Sequence, residues 1–253
     1  MKQFFLVMIA VALVAGCKKV EKDVYNYFPK VKTVGAVVQP DGSIRLTGEL
    51  LSSGAGEMRG VGFCMDTLPN PRMEDNQQIC DTLFGNSFST LYVDLDATRK
   101  YYFRTWAVNE WGYAYGEDIL VDNISLDTSI IPCHPAPSTM SMTDFGTVPI
   151  YSVTNLEYTT LQWECSAYTN NGMFHLTFYK WPTTGVYEIT EFTSISSKEK
   201  RFVNLEFSQT YAKAGKLYIN QISPTLIEVT ICEAMLPKFN GKRYLTARFT
   251  VKT

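Results

Sequence analysis

The chain has two histidines, His134 and His175, and no excess of positive charge. The first scarcity argues against metal and acid–base chemistry. A structural or catalytic metal needs three or four ligands at set spacing. His134 has only Cys133 beside it in a proline-rich stretch. His175 alternates with Phe174 and Leu176, so it faces away from that segment's apolar side. The second scarcity argues against nucleic acid, whose binders carry a strong basic surplus; here 23 Lys and Arg meet 25 Asp and Glu. No G-x-S-x-G, H-E-x-x-H or phosphate-binding loop occurs. The D-x-D-x-D spacing of a calcium loop is also missing. Glu74-Asp75 and Glu117-Asp118 fall near turns and read as solvated surface. No apolar run reaches the roughly 20 residues of a spanning helix, and no long stretch keeps apolar residues at helical spacing. The expectation is a protein that is not an enzyme, holds no metal or cofactor, and has no nucleic-acid partner.

What is present is the texture of strands. Aromatic residues make up 13 % of the chain, and Thr, Val and Ile are frequent, which favours sheet. Ile44, Leu46, Gly48 and Leu50 alternate with polar neighbours after a Pro40-Asp41-Gly42 turn. Tyr101, Phe103, Thr105 and Ala107 form one face of a strand, and Tyr102, Arg104 and Trp106 form the other. Asn109 to Gly112 is a turn, after which Tyr113 to Val121 runs back. Pro132, Pro135 and Pro137 cannot donate to a sheet ladder and mark a boundary. Beyond them the period-2 pattern resumes: Leu161, Trp163, Cys165 and Ala167; Phe174, Leu176 and Phe178; Val203, Leu205 and Phe207; Ile227, Val229 and Ile231; Leu245, Ala247, Phe249 and Val251. Charge also divides the chain, with seven basic and thirteen acidic residues in 31–122 but eleven and nine in 132–253. The reading is all-β, with a first domain over 31–122, a linker over 123–137, and a second sandwich or small barrel over 138–253.

The N-terminus is short and basic, then apolar without a break from Phe4 to Ala15. Those proportions are those of a secretory signal, not of a membrane span. The ending Leu13-Val14-Ala15-Gly16-Cys17 resembles the lipobox of bacterial lipoproteins. The resemblance implies cleavage after residue 16, a diacylglyceryl thioether on Cys17, and an N-linked acyl chain of the palmitate type. Stable anchoring takes more than one chain. Lys18, where an aspartate often retains lipoproteins at the inner membrane, implies the outer membrane. Residues 17–30, with Tyr25, Tyr27 and Phe28, read as a tether.

The segment from Leu95 through Tyr101, Phe103 and Ala107 to Asn109 and Gly112 resembles the penultimate strand of fibronectin type III domains. In that family the tyrosine packs inward while its hydroxyl bonds backbone at the sandwich corner. Tyr101 takes this part here. Ala97 and Arg99-Lys100 depart from the pattern outside the core. The Gly62-Phe63-Cys64 strand, the Pro69-Asn70-Pro71 loop and Tyr113-Ala114-Tyr115-Gly116-Glu117 are similar to a variant found in surface lipoproteins of Gram-negative gut anaerobes. Such a scaffold has no activity of its own. The second domain resembles no family by its residues.

Export permits disulfides. Cys64 and Cys80 flank one loop and form the candidate pair. Cys133, Cys165 and Cys232 share the second half, and three pairings stay open. Tyr102, Trp106, Trp111, Tyr113 and Tyr115 form a candidate aromatic platform for a sugar ring or a partner protein. Cross-strand pairing, or burial against the second domain, competes with it. The functional expectation is a lipid-anchored binding protein of the outer membrane or cell surface, with a glycan or protein ligand. The alternative is an accessory part of an outer-membrane or fimbrial assembly, joined by strand addition.

Overall fold

A computed structural model describes residues 27–80, 85–159, 162–191 and 201–252. The first domain is a sandwich. One sheet takes β1 (Lys30–Val38), β2 (Ile44–Ser52) and β5 (Ser87–Tyr92), in the order β1-β2-β5. The other takes β4 (Asn76–Ile79), β3 (Met58–Asp66), β6 (Tyr101–Asn109) and β7 (Gly112–Tyr115) in that order, with β8 (Ile119–Val121) also on β6. Alternation explains both sheets. Ile44, Leu46 and Leu50 turn inward from β2, and Tyr101, Phe103 and Ala107 turn inward from β6; Phe63, Phe88 and Tyr92 fill the space between. The Asp96 N–H donates to the Tyr101 hydroxyl at 3.0 Å. The corner tyrosine therefore bonds backbone upstream of its own strand, with its ring buried.

The second domain is a closed barrel. Its strands are β9 (Thr139–Met142), β10 (Gly146–Thr159), β11 (Gln162–Thr169), β12 (Gly172–Phe178), β13 (Gly185–Ile189), β14 (Phe202–Phe207), β15 (Thr210–Tyr211), β16 (Ala214–Ser223), β17 (Leu226–Lys238) and β18 (Gly241–Lys252). They follow the order β12-β11-β10-β9-β18-β17-β16-β13-β14-β15, and a β12–β14 pairing joins the ends. Phe178 meets Val203 and Phe174 meets Phe207 along that seam. Of the two forms open for this domain, the chain adopts the barrel. Closure removes the free edges that an open sheet would expose. Among the described residues, the interior holds the apolar sets read from the sequence, with Trp163, Phe174, Phe178 and Phe249 the largest. Among the described residues these side chains pack into one core cluster.

One irregularity on β17 has a structural use. Ile227, Val229 and Ile231 point inward, and so do Ala234 and Leu236. The switch of parity happens at a bulge, with Glu233 at φ 52°. An extra residue in one strand shifts every later side chain to the other face. Just before that switch, Cys232 points outward, where the linker lies. Leu126, Ile130, Ile131 and Cys133 pack there on Tyr218, Val186 and Cys232. A single 3₁₀ turn, Thr128–Ile130, capped by Asp127, shapes the linker.

The two domains meet through polar contacts. The Asp94 carboxylate takes Arg201 Nε at 2.9 Å and Lys180 Nζ at 2.6 Å. Arg201 Nη1 donates to the Asp41 carbonyl at 3.2 Å. The Ala97 N–H donates to Gln221 Oε1 at 3.1 Å, and the Asp127 N–H to the Pro40 carbonyl at 2.8 Å. Gly42, in the β1–β2 turn at φ 77°, lies so close that a Cβ would stand 2.8 Å from the Thr184 methyl. A side chain there would be strained and would wedge the joint apart.

Candidate functional site

The aromatic platform does not assemble as the sequence suggested. Trp106 is only 2 % exposed. Its outward ring lies flat over Gly60 and Gly62 of β3, where no side chain competes for the space. The 67–75 loop folds across the same face. The Cys64 thiol donates to the Pro71 carbonyl at 3.3 Å, and the Met73 N–H donates to the Tyr115 hydroxyl at 3.3 Å. Arg104 stacks on Tyr115 with its guanidinium carbon 4.6 Å from the ring centre. Tyr102 and Tyr115 are half-buried. Trp106 is thus a covered residue, not a ligand platform. Its side chain points outward, but it lies on the two glycines of β3 across the ladder.

Trp111 and Tyr113 remain open, at 54 % and 59 % exposure. They stand at the end of the sandwich where β1 begins and β6 ends. Tyr27 joins them, its ring centre 4.9 Å from that of Trp111 with the planes 55° apart. Phe28 packs beside Gly112. Asn109 braces the group. Its Nδ2 donates to the Tyr27 carbonyl at 2.6 Å and to the Ser53 carbonyl at 2.9 Å. Its Oδ1 accepts from the N–H groups of Trp111 and Gly112, at 2.9 and 3.2 Å. The sequence reading placed Tyr27 and Phe28 in the tether and did not connect them with Trp111. That contact spans more than eighty residues and leaves no local signal.

The disulfide also differs from expectation. Cys133 and Cys232 are joined, with Cα atoms 5.7 Å apart. No bond links Cys64 to Cys80. Gly62 pairs with Ile79 across β3 and β4, and Cys64 pairs with Gln77. With period 2, Cys64 lies on the outer face while Cys80, next after Ile79, turns to the core side and packs there. The two thiols stand on opposite faces of one sheet, out of bonding reach. Burial pushes the Cys64 thiol up to about 12, against the nearby Arg104 charge. Burial also raises Cys165. Both stay protonated and poorly nucleophilic.

His175 sits on the outside of the barrel in a small polar cluster. Ser166 Oγ lies 2.8 Å from its Nδ1, and Glu164 Oε2 lies 3.3 Å from its Nε2. Glu206 pairs with it across β14. A shallow depression beside it is lined by Met173, Glu206, Ser208 and Gln209. Ser166 is buried in β11 between two ladders, which take its backbone groups. The cluster braces the histidine.

Among the described residues, no three His, Cys, Asp or Glu side chains converge on a metal position, and no helix is long and apolar enough to cross a membrane. Cys17 lies outside the described residues. No family model matches the chain, and no curated protein matches it.

Proposed function

We propose that this is a lipid-anchored binding protein of the outer membrane or cell surface, held by Cys17. A fibronectin type III-like sandwich carries the barrel, and the rim of the barrel meets a protein or glycan. The observation that supports this is the direction of the chain. Residues 27–30 enter one end of the sandwich, and the joint to the barrel uses the other. The barrel meets that joint through Lys180, Arg201 and Gln221. Its opposite rim, where β9–β10, β11–β12, β14–β15 and β17–β18 turn, faces away from the joint. Met173, Tyr211, Phe239 and Tyr244 are exposed at or near that rim, Phe239 fully. Large apolar groups left in water at one end mark an interaction surface. Assembly by strand addition is the second reading: the barrel is closed and β4, β7 and β8 have four residues or fewer, which leaves β1 and β5 of the three-stranded sheet as the longer edges for it to use.

Two measurements test the proposal. Cys17→Ser should move the protein out of the membrane fraction; a variant that still sediments with membranes has another anchor. A glycan-array screen and surface crosslinking, run on the chain with and without Phe239→Ser/Tyr244→Ser, should show a ligand that the double variant loses while its thermal midpoint is unchanged. A crosslinked assembly partner that the double variant keeps, with no bound glycan, supports the accessory role instead.

A further inference from the structure

The near end of the sandwich carries apolar surface that the ligand-binding rim does not use. Tyr27, Phe28, Trp111 and Tyr113 gather there, fixed by the four hydrogen bonds of Asn109. Their place in the chain matters. Nine residues lie between Cys17 and Tyr27, ten residue steps in all. Even fully extended, that length spans about 35 Å at most. A lipid on Cys17 therefore keeps this end within reach of the bilayer. Trp and Tyr prefer the membrane–water interface, where the ring body meets acyl chain and the polar tip meets headgroups. The neighbouring loop is Ser52-Ser53-Gly54-Ala55, whose small side chains let a flat surface approach. Glu57 and Glu110 are balanced at this end by Lys30 and Arg59, so attraction to anionic lipid is not the driving term. A sugar platform fits less well, because Tyr27 already leans on the Trp111 ring.

We propose that this end of the sandwich docks on the headgroup region of the bilayer that holds the lipid, with Trp111, Tyr27, Phe28 and Tyr113 as interfacial contacts. The proposal rests on lipidation of Cys17. Docking sets the axis of the two-domain arm relative to the membrane and turns the distal rim away from it.

Trp111 is its own reporter. Trp106 and Trp163 are buried and Trp181 is half-buried, whereas Trp111 is open. The lipidated chain is reconstituted in vesicles of phosphatidylethanolamine and phosphatidylglycerol doped with a chain-brominated phosphatidylcholine. The expected result is quenching of one emission component by the brominated lipid. That component is absent in Trp111→Phe, and aqueous iodide, which quenches it in the soluble Cys17→Ser protein, no longer reaches it. Trp111→Phe should keep the parent's thermal midpoint, which separates this loss from misfolding. If the protein floats with vesicles yet Trp111 remains open to iodide and is untouched by brominated lipid, docking is wrong and the anchor stands. If the protein does not float at all, the lipidation reading fails and docking falls with it. If a soluble glycan shields Trp111 from iodide and vesicles do not, the patch is a sugar surface and the proposal is overturned.

Discussion

Asp94→Asn removes one charge and almost no volume. Asp94 has φ 61°, a left-handed conformation that asparagine also adopts readily. The backbone at the joint is therefore left as it is. The side chain of Arg201 is only 9 % exposed. Without the carboxylate it keeps the Asp41 carbonyl on Nη1, while Nη2 already finds no partner among the described residues. Stripping one member from a buried ion pair costs about 3–5 kcal/mol. The lower figure applies here, because the asparagine oxygen can still accept from Nε. At roughly 2–4 °C per kcal/mol for a chain of this size, about 3 kcal/mol lowers the midpoint by roughly 6–12 °C when the domains unfold together. Lys180→Met is the control: its ammonium reaches the same carboxylate but is more than half exposed, and an exposed pair contributes about 0–1 kcal/mol. Scanning calorimetry should show a large loss for Asp94→Asn and a small one for Lys180→Met. Equal losses, or an unchanged midpoint for Asp94→Asn, would refute the claim that Arg201 needs this partner. The effect carries a pH signature. Burial raises the pKa of Asp94, but hydrogen bonds from Lys180 and Arg201 outweigh it and hold the carboxyl below its usual value. A depressed folded pKa gives stability that is present above the unfolded value, about 3.9, and is lost as pH falls through the folded one. The gap between parent and variant should hold steady from about pH 7 to 5 and close below about pH 4.

Tyr101→Phe leaves the half-buried Asp96 N–H without its acceptor and should cost about 1 kcal/mol, toward the low end for an unpaired group. Tyr102→Phe, on the outer face, should cost much less; equal shifts in urea midpoint would mean that the two faces of β6 are exchanged. Cys232→Ser opens a bridge between residues 99 apart and should cost up to about 4–5 kcal/mol in the chain-entropy account, read as a lower guanidinium midpoint. Non-reducing peptide maps of the parent should link Cys133 to Cys232, and Cys64 should take up alkylating reagent only after unfolding. Labelling of Cys64 in the folded protein would contradict its burial.

Much of the fold was legible because period-2 patterns survive when one face of each strand is buried. The inward residues of β2, β6, β11, β12, β14 and the first half of β17 stand where alternation put them. The proline cluster falls between β8 and β9, since those residues cannot join a ladder. The β12–β14 seam was invisible, because strand pairing between distant segments leaves no trace in either one. The bulge at Glu233 was equally hidden: its residue is neither glycine nor asparagine, so nothing announced a positive φ. Trp106 shows the limit for the site. Alternation gave its direction, but its burial depends on the facing glycines of β3, which only the strand pairing brings beneath it. The choice among cysteines failed for a related reason. Closeness in sequence favoured Cys64 and Cys80, and sheet parity separated them.

The bridge between linker and barrel also sets how the molecule carries a pull. Tension applied at the N-terminus passes through the sandwich and reaches the barrel at Cys133. Without the bridge, the load would next meet β9, a four-residue strand held between β10 and β18. A short strand drawn from one end unzips its hydrogen bonds in turn. The covalent link to Cys232 diverts the force past β9 into β17, a thirteen-residue strand paired along its length on both sides. Tearing β17 out would mean shearing many hydrogen bonds at once. An arm held at its N-terminal root and dragged at the far rim of the barrel would thus transmit strain through its barrel wall and leave β9 unloaded.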